Sequence, residues 1–393
     1  MNNSFDTIVI GLGAMGSATI YQLAKRGIKS LGLDCFTPPH SFGSSHSESR
    51  ITRQAIGEGE YFTPLSLRTM EIFQELEDTV NQKLIYLSGG LIIGKDNYRA
   101  SINNVDNFFE NTIKVANKYN IKYEVLSCKD ITSKFSQFNV SPDEIGYYEY
   151  GSAALRPELI ISAQLKLSQN LGAQLNLNEK FIGFEPHGNK VKVKTIDNSY
   201  AAEKLVITVG PWLGELLPQL NNYLKVYRQV LYWYDVSNSI DRFQIPNFPI
   251  FIWLPKNDSQ MAMYGFPALD GVNGGIKIAS EIYKETTTPE IVVRSVSDEE
   301  IISMYENKIS HSFPLIKNNV LKTAVCLYTV TPNSNFIIDY LPDNNNVVIC
   351  SACSGHGFKF SGAIGEQIVK FINNEKTLVD FSLFKLSQFN NLK

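Results

Sequence analysis

The stretch "DTIVIGLGAMGSATIYQLAKRGIKSLGLD", Asp6 to Asp34, constrains the fold more than any other part of the chain. Thr7 to Ile10 is a continuous apolar run, as expected of a parallel strand covered on both faces. Gly11, Gly13 and Gly16 then fit G-x-G-x-x-G. The first glycine permits a tight turn, the second lets backbone approach a pyrophosphate, and the third allows close helix–strand contact. A helix is predicted from about Ala14 to Arg26, with Ile20, Leu23 and Ala24 on an apolar side. Lys25 and Arg26 suit the negative end of its dipole and Gly27 suits the C-cap. Its N-terminus offers free N–H groups and partial positive charge to a phosphate. A second strand, "SLGLD", ends in Asp34, at the spacing where an acid grips the ribose hydroxyls of an adenosine. This register of strand, glycines, helix, strand and acid predicts a dinucleotide site. It does not choose between FAD and NAD(P).

Beyond Asp34 the chain enters a polar loop, "TPPHSFGSSHSESRITR", where a typical NAD enzyme would continue with a third strand. A helix at about Pro64–Thr79, β-like "GGLIIG" (Gly89–Gly94), a helix at about Ile102–Asn117 and a strand at Tyr123–Leu126 follow. Leu159, Ala163, Leu167 and Leu171 keep a helical period within Glu158–Gly172. The alternating "KVKVK" predicts a solvent-facing antiparallel ribbon, and "KLVITVG" a buried parallel strand that returns to the cofactor. Residues from about Asn221 to Thr323 are rich in aromatics and β-formers, which predicts a mostly antiparallel sheet with one helix near Ser297–Phe313. Lys322 to Pro342 reads as a buried strand that turns at Thr331–Pro332 into another strand. "NVVICSACSGHGFKFSGAIGEQIVKFI" returns to strand, glycine turn and helix, the helix from about Phe360 to Ile372.

Cofactor-domain pieces at the start, middle and end, split by substrate-domain pieces, match the arrangement of glutathione-reductase-like FAD enzymes. The predicted class is α/β, with an α+β substrate domain built on a mostly antiparallel sheet. The expected cofactor domain is discontinuous (1–85, 150–220 and 324–393), interleaved with a substrate domain (86–149 and 221–323).

Composition excludes several functions. A net charge of −3 without a basic block argues against nucleic-acid binding. No apolar run approaches the ~18–20 residues that span a bilayer, and the N-terminus lacks a basic segment of the kind that opens a signal peptide. Five cysteines do not suggest a disulfide framework, so a reduced, cytoplasmic protein is expected. Cys350 and Cys353 form a lone C-x-x-C at a strand end, where packing is the simpler role. The five histidines show no paired metal-ligand spacing, so no metal is expected.

Three segments concentrate reactive side chains. "GSSHSESRITR" (Gly43–Arg53) gathers a histidine, two arginines and four serines just past the ribose acid, where an FAD enzyme brings chain across the flavin. "SGHGFKFSG" frames His356 and Lys359 with glycines, which suits an anion. Lys277 lies between Ile276 and Ile278, so alternation places it on the opposite sheet face, where a lysine is usually solvated. Cys326, in "AVCLYTV", reads alone as a small buried hydrophobe.

Taken together, "GLGAMGS", "GSSHSESRITR", "YGFPA", "GGIKIAS", "AVCLYTVTPNSNFIID", "SGHGFKFS" and the tail "FSLFKLSQF" resemble the monomeric sarcosine oxidase / N-methyl-L-tryptophan oxidase family. The resemblance runs nearly end to end. It implies one FAD per chain, joined covalently through the flavin 8α-methyl to the sulfur of Cys326. It implies that Arg53 and Lys359 hold the substrate carboxylate, that His46 and Arg50 lie against the flavin ring, and that Lys277 serves oxygen activation. Tyr264 and Tyr328 match aromatic positions of the substrate cavity. Gly11, Gly13, Gly16, Asp34, Ser44, Ser45, Gly355, His356 and Gly357 are the further cofactor contacts expected.

The implied activity is that of a monomeric, cytoplasmic oxidase. It would convert an N-methyl amino acid and O2 into the primary amino acid, formaldehyde and hydrogen peroxide. The alternatives are a dehydrogenase of the same fold using another acceptor, and a non-catalytic FAD-binding protein. Two departures stand out: Glu281, where the family tends to carry histidine, and Cys353, where another small or aromatic residue is common. Both lie near the expected cavity, and an acid there disfavours a second substrate carboxylate.

Overall fold

The computed structural model of the protein describes residues 4–95, 106–254, 262–342 and 344–389. An eight-stranded sheet among them has a parallel centre: Gln174–Leu177, Ser30–Asp34, Ser4–Ile10, Ser199–Ile207 and Asn344–Ser351. Ile8, Val9, Leu205, Val206, Val347 and Val348 are fully buried, as strands covered on both faces require. The "KVKVK" segment sits in an antiparallel ribbon, Phe181–His187 with Lys190–Thr195, and buries Val191 and Val193 beneath its lysines. Strand Ile337–Leu341 pairs antiparallel with Asn344–Ser351.

The helix after the glycines spans Ala14–Lys25 and packs between Pro157–Asn170 and Ser361–Ile372. Gly365 makes the second contact tight, because a Cβ there would stand 2.6 Å from the Cβ of Ala18. All three helices were legible to within a residue or two in the sequence periodicity, as were Phe62–Val80 and the strand Tyr123–Leu126. The helix expected at Ile102–Asn117 spans Phe108–Lys118, and its predicted start at 102–105 lies outside the described residues. The helix expected at Ser297–Phe313 is interrupted by a π-turn at Tyr305–Ile309.

A second sheet of nine described strands is antiparallel except where Ile250–Trp253 runs parallel to Gly90–Lys95. Its core is aromatic: Phe138 stacks on Phe248 with ring centroids 5.0 Å apart, and Phe251, Trp253 and Phe313 close around them. Strand Val320–Val330 pairs along its length with Lys225–Tyr234, then turns at Thr331–Pro332 into Ile337–Leu341 of the first sheet. The expected division at residue 324 falls inside this strand. A small three-stranded sheet, Arg50–Thr52, Ala153–Leu155 and Ile85–Leu87, carries the polar loop back toward the second sheet. No helix among the described residues is long and apolar enough to cross a membrane.

Gly365→Ala forces the Ser361–Ile372 helix off Ala18 and is expected to cost about 1–3 kcal/mol, as overpacking does. A lowered unfolding midpoint checks this; an unchanged midpoint would show that the helix pair has slack.

Candidate active site

The parallel strands end on one edge of the first sheet. Their C-terminal residues Ile10, Asp34 and Ser351, with Thr208 just past the end of its strand, open into a cavity of about 610 Å³. That edge is where open α/β sheets bind ligands. Gly11 turns with φ +83°, and a Cβ on it would meet the Thr208 carbonyl oxygen at 2.8 Å. A Cβ on Gly16 would come within 1.8 Å of the Gly11 oxygen, so no other residue fits that crossing. Gly13 precedes the helix without a side-chain cap, and it and Ala14 line the cavity, so the helix N-terminus faces it. Ser45 Oγ accepts the Ala14 N–H at 3.3 Å.

Asp34 is buried and does two things. Its carboxylate accepts the Leu12 and Phe36 amides at 2.7 and 2.8 Å, which fixes the glycine loop, and it also lines the cavity. Burial raises its pKa against those bonds. Phe36, His40 and Trp212, unremarked in the sequence, gather beside it, with Phe36 4.8 Å from His40 and 5.8 Å from Trp212 between ring centroids. Only the sheet crossover brings Trp212 there, so no local signal marked it.

The polar loop crosses the middle of the cavity. Arg50 donates to the carbonyls of Ser44 (2.7 Å) and Ser49 (2.8 Å), and its Nη2 lies 3.5 Å from Cys326 Sγ. Cys326 is buried in strand Val320–Val330 and also lies 3.5 Å from the Ser44 oxygen. Ser47 and Glu48 adopt left-handed φ of 76° and 68°, a costly pair of conformations for residues with side chains. Lys277 holds them in place: its ammonium donates to the Ser47 and Ser49 carbonyls at 2.9 and 2.7 Å and lies over the Phe266 ring at 4.1 Å. Strand alternation does put Lys277 opposite Ile276 and Ile278, but that face meets the loop instead of solvent, and Lys277 is 2% exposed. Burial and the nearby Arg50 hold its pKa well below that of an ordinary lysine. His46 bonds Ser47 Oγ at 2.7 Å, and burial, then Arg50 and Lys277, push its pKa down to about 3, so the ring is neutral. His46 Nε2 and Ser44 Oγ are buried with no hydrogen-bond partner among the described residues.

The inner end of the cavity is charged. Arg53 donates to both oxygens of Glu58 (2.8 and 2.7 Å) and to the Ala55 carbonyl. Burial disfavours the Glu58 charge, but Arg53, then Lys359, outweigh it and hold the pKa near 2. Lys359 donates to the His356 carbonyl at 2.7 Å, and burial lowers its pKa to about 7. His356 Nε2 lies 3.0 Å from the Ser334 carbonyl, a contact that puts the ring proton on that nitrogen; burial lowers the ring's pKa to about 4. Tyr264 and Tyr328 meet hydroxyl to hydroxyl at 2.9 Å. Glu281 lines the same space and hydrogen-bonds Tyr283.

Of the residues singled out in the sequence, Gly11, Gly13, Asp34, Ser44, Ser45, Arg50, Arg53, Tyr264, Tyr328, Gly355, His356, Gly357 and Lys359 line the cavity. Gly16, His46, Lys277 and Cys326 stand immediately behind that lining. Cys350 packs in the core with one side on the cavity, and Cys353 lines the cavity too. Two supporting acids were missed. Glu58, between two glycines five residues after Arg53, carried a faint local signal. Glu149 accepts the Gln54 and Ala55 amides, Tyr147 and Ser152, and so anchors the backbone beside Arg53. It is distant in sequence and carried none.

The model of the family "FAD dependent oxidoreductase" matches residues 6–371. The chain is 35% identical to the monomeric sarcosine oxidase of Streptomyces avermitilis over 98% of this chain and 97% of that one. It is 32% identical to the N-methyl-L-tryptophan oxidase of Yersinia pestis (strain Pestoides F), covering 98% and 99%. Its fold is similar to the open form of NikD, an unusual amino acid oxidase, with a TM-score of 0.83 at 22% identity and 98% of each chain covered. A dinucleotide cradle continuous with a charged pocket, on a chain matched over nearly its whole length, makes this protein a member of the FAD-dependent oxidoreductase family, of the sarcosine oxidase / N-methyltryptophan oxidase type.

Proposed function

We propose that the protein is an oxidase of N-methyl amino acids that releases the primary amino acid, formaldehyde and hydrogen peroxide. The observation that carries this reading is the single cavity joining a phosphate-ready helix N-terminus to Arg53 and Lys359. The residues present fit FAD. Gly11 and Gly16 leave backbone where a Cβ would collide, Gly13 and Ala14 present the helix N-terminus, and Ser44 Oγ and His46 Nε2 are buried donors or acceptors awaiting a partner. Gly13, Asp34, Ser44, Ser45, Arg50 and the turn Gly355–Gly357 are the residues assigned to hold it. Bound FAD supplies the two-electron acceptor for oxidation of a carbon–nitrogen bond.

The chain's own residues then orient and charge-match the substrate. Lys359 and Arg53 are assigned to its carboxylate: Lys359 supplies the uncompensated charge, and Arg53, whose charge Glu58 balances, offers a buried Nε that has no hydrogen-bond partner among the described residues. Tyr264 and Tyr328, tied hydroxyl to hydroxyl, set the wall against which the side chain lies. Lys277 fixes the loop 47–49 and places a cation where charge developing on oxygen is stabilised. Cys326, 3.5 Å from two atoms of that loop region, is assigned the covalent bond to the flavin. The cofactor unit is assigned to 1–85, 150–220 and 324–393 and the substrate unit to 86–149 and 221–323, with strand Val320–Val330 carrying chain between them. A monomer in the cytoplasm completes the reading.

A panel of N-methyl amino acids, assayed for peroxide and formaldehyde, is expected to give one of each per substrate consumed. Turnover only with an artificial electron acceptor points to a dehydrogenase, and no turnover at all to a non-catalytic flavoprotein. Arg53→Ala is expected to raise KM for acids roughly 10- to 150-fold, the ~1.5–3 kcal/mol of a charged hydrogen bond, and KM for the matching amides far less. Equal effects on both would remove the carboxylate assignment. On acid precipitation, flavin colour should stay with the wild-type protein and be absent from precipitated Cys326→Ser. Full release from the wild type would sink the covalent link.

A further inference from the structure

Glu281 follows strand Ile276–Ser280 and is anchored by its amide, which donates to the Ala262 carbonyl at 3.1 Å. It is half-buried, and its side chain lines the cavity. The charges at this inner end can be counted. Arg53 and Glu58 neutralise each other in a buried ion pair. Lys359 is spent on a neutral carbonyl, and Glu281 on the Tyr283 hydroxyl. Neither Lys359 nor Glu281 closes an ion pair with another described residue, so one cation and one carboxyl remain to face a guest. A guest carrying a carboxylate alone would balance Lys359 and leave Glu281 uncompensated, which a low-dielectric cavity penalises. A guest carrying both signs balances both.

We propose that Glu281 determines specificity by receiving the positive charge of a zwitterionic N-alkyl amino acid whose carboxylate lies toward Lys359, so that the cavity takes zwitterions and discriminates against amine-free carboxylates. This rests on the carboxylate assignment made above and names the charge pattern of the substrate. When a protonated secondary amine binds, its proton can pass to the Glu281 carboxylate. The nitrogen lone pair is then free, no bond to carbon is broken and no electron changes hands.

The groups facing Glu281 set when it is charged. Burial pushes its carboxyl up to about 7; Glu58 adds to this, while the Tyr283 hydrogen bond and Lys359 oppose it. Tyr264 and Tyr328 face it as neutral hydroxyls, their own pKa values raised by burial. The carboxylate is therefore present above about pH 7 and lost below it.

The test compares two unreactive ligands of one shape on the oxidised holoenzyme. Trimethylglycine is a zwitterion with a permanent cation, and 3,3-dimethylbutanoate is its neutral-headed isostere. Both carry the same carboxylate, so titration of Lys359 cancels in the ratio of their dissociation constants, measured by calorimetry or flavin absorbance. Wild-type protein at pH 8.5 is expected to prefer trimethylglycine roughly tenfold or more, the scale of one charge-assisted contact. At pH 6 the preference should fall toward one. Glu281→Gln, with unchanged flavin content, should show a ratio near one at both pH values. A preference that survives in Glu281→Gln, or that ignores pH in the wild type, overturns the proposal, as does failure of both ligands to bind an enzyme that oxidises N-methyl amino acids. Failure to oxidise any N-methyl amino acid strikes the proposed activity instead, and the ligand ratio still reads Glu281 separately.

Discussion

Helix Ala14–Lys25 can start where it does only because Gly16 has no Cβ, since one would sit 1.8 Å from the Gly11 oxygen. That crossing brings the helix N-terminus against the end of the first strand, and the cavity follows from it. Thr208 donates its hydroxyl to the Gly11 carbonyl at 2.6 Å, and Asp34 accepts the Leu12 amide, so the neighbouring parallel strands lock the turn from both sides. Farther along the same helix, Ala18 packs on Gly365, which ties the C-terminal helix to the same contact. Hence the glycine-framed turn carrying His356 and Lys359 reaches the cavity that the first thirty-odd residues begin.

Buried charge is the second constraint. Arg53, Lys277 and Lys359 are buried and Arg50 lines the same cavity, and each charge needs compensation because leaving bulk water is costly for an ion. Two of them, Arg50 and Lys277, spend their donors on loop carbonyls and thereby hold a backbone path with two left-handed residues in succession. Arg53 is closed by Glu58, and Glu149 fixes the backbone that follows. The polar loop is thus rigid for electrostatic reasons, and that rigidity is what a positioned cofactor and substrate demand. Lys359 and Glu281 remain the pair open to a guest.

Local pattern made much of this legible. The glycine spacing, the terminal acid Asp34, the alternation around Lys277 and the helical periods after Pro157 and Ser361 are short-range properties, and each element formed within a residue or two of its expected place. What Lys277 faces was not legible. Alternation says which side of a strand a residue takes, but the loop that covers that side comes from residues 47–49, more than two hundred positions away. Trp212 and Glu149 escaped for the same reason.

By itself, the sequence determined the dinucleotide-binding unit, the alternation of sheet types and the family, because these rest on residue spacing and on motifs that survive in order along the chain. Only the tertiary structure decided that Arg53 is closed by Glu58 and that Cys326 lies beside Arg50. It likewise decided that Lys359 and Glu281 share one cavity. Those are meetings of distant segments, set by how two sheets and three helices pack, and no local periodicity encodes them.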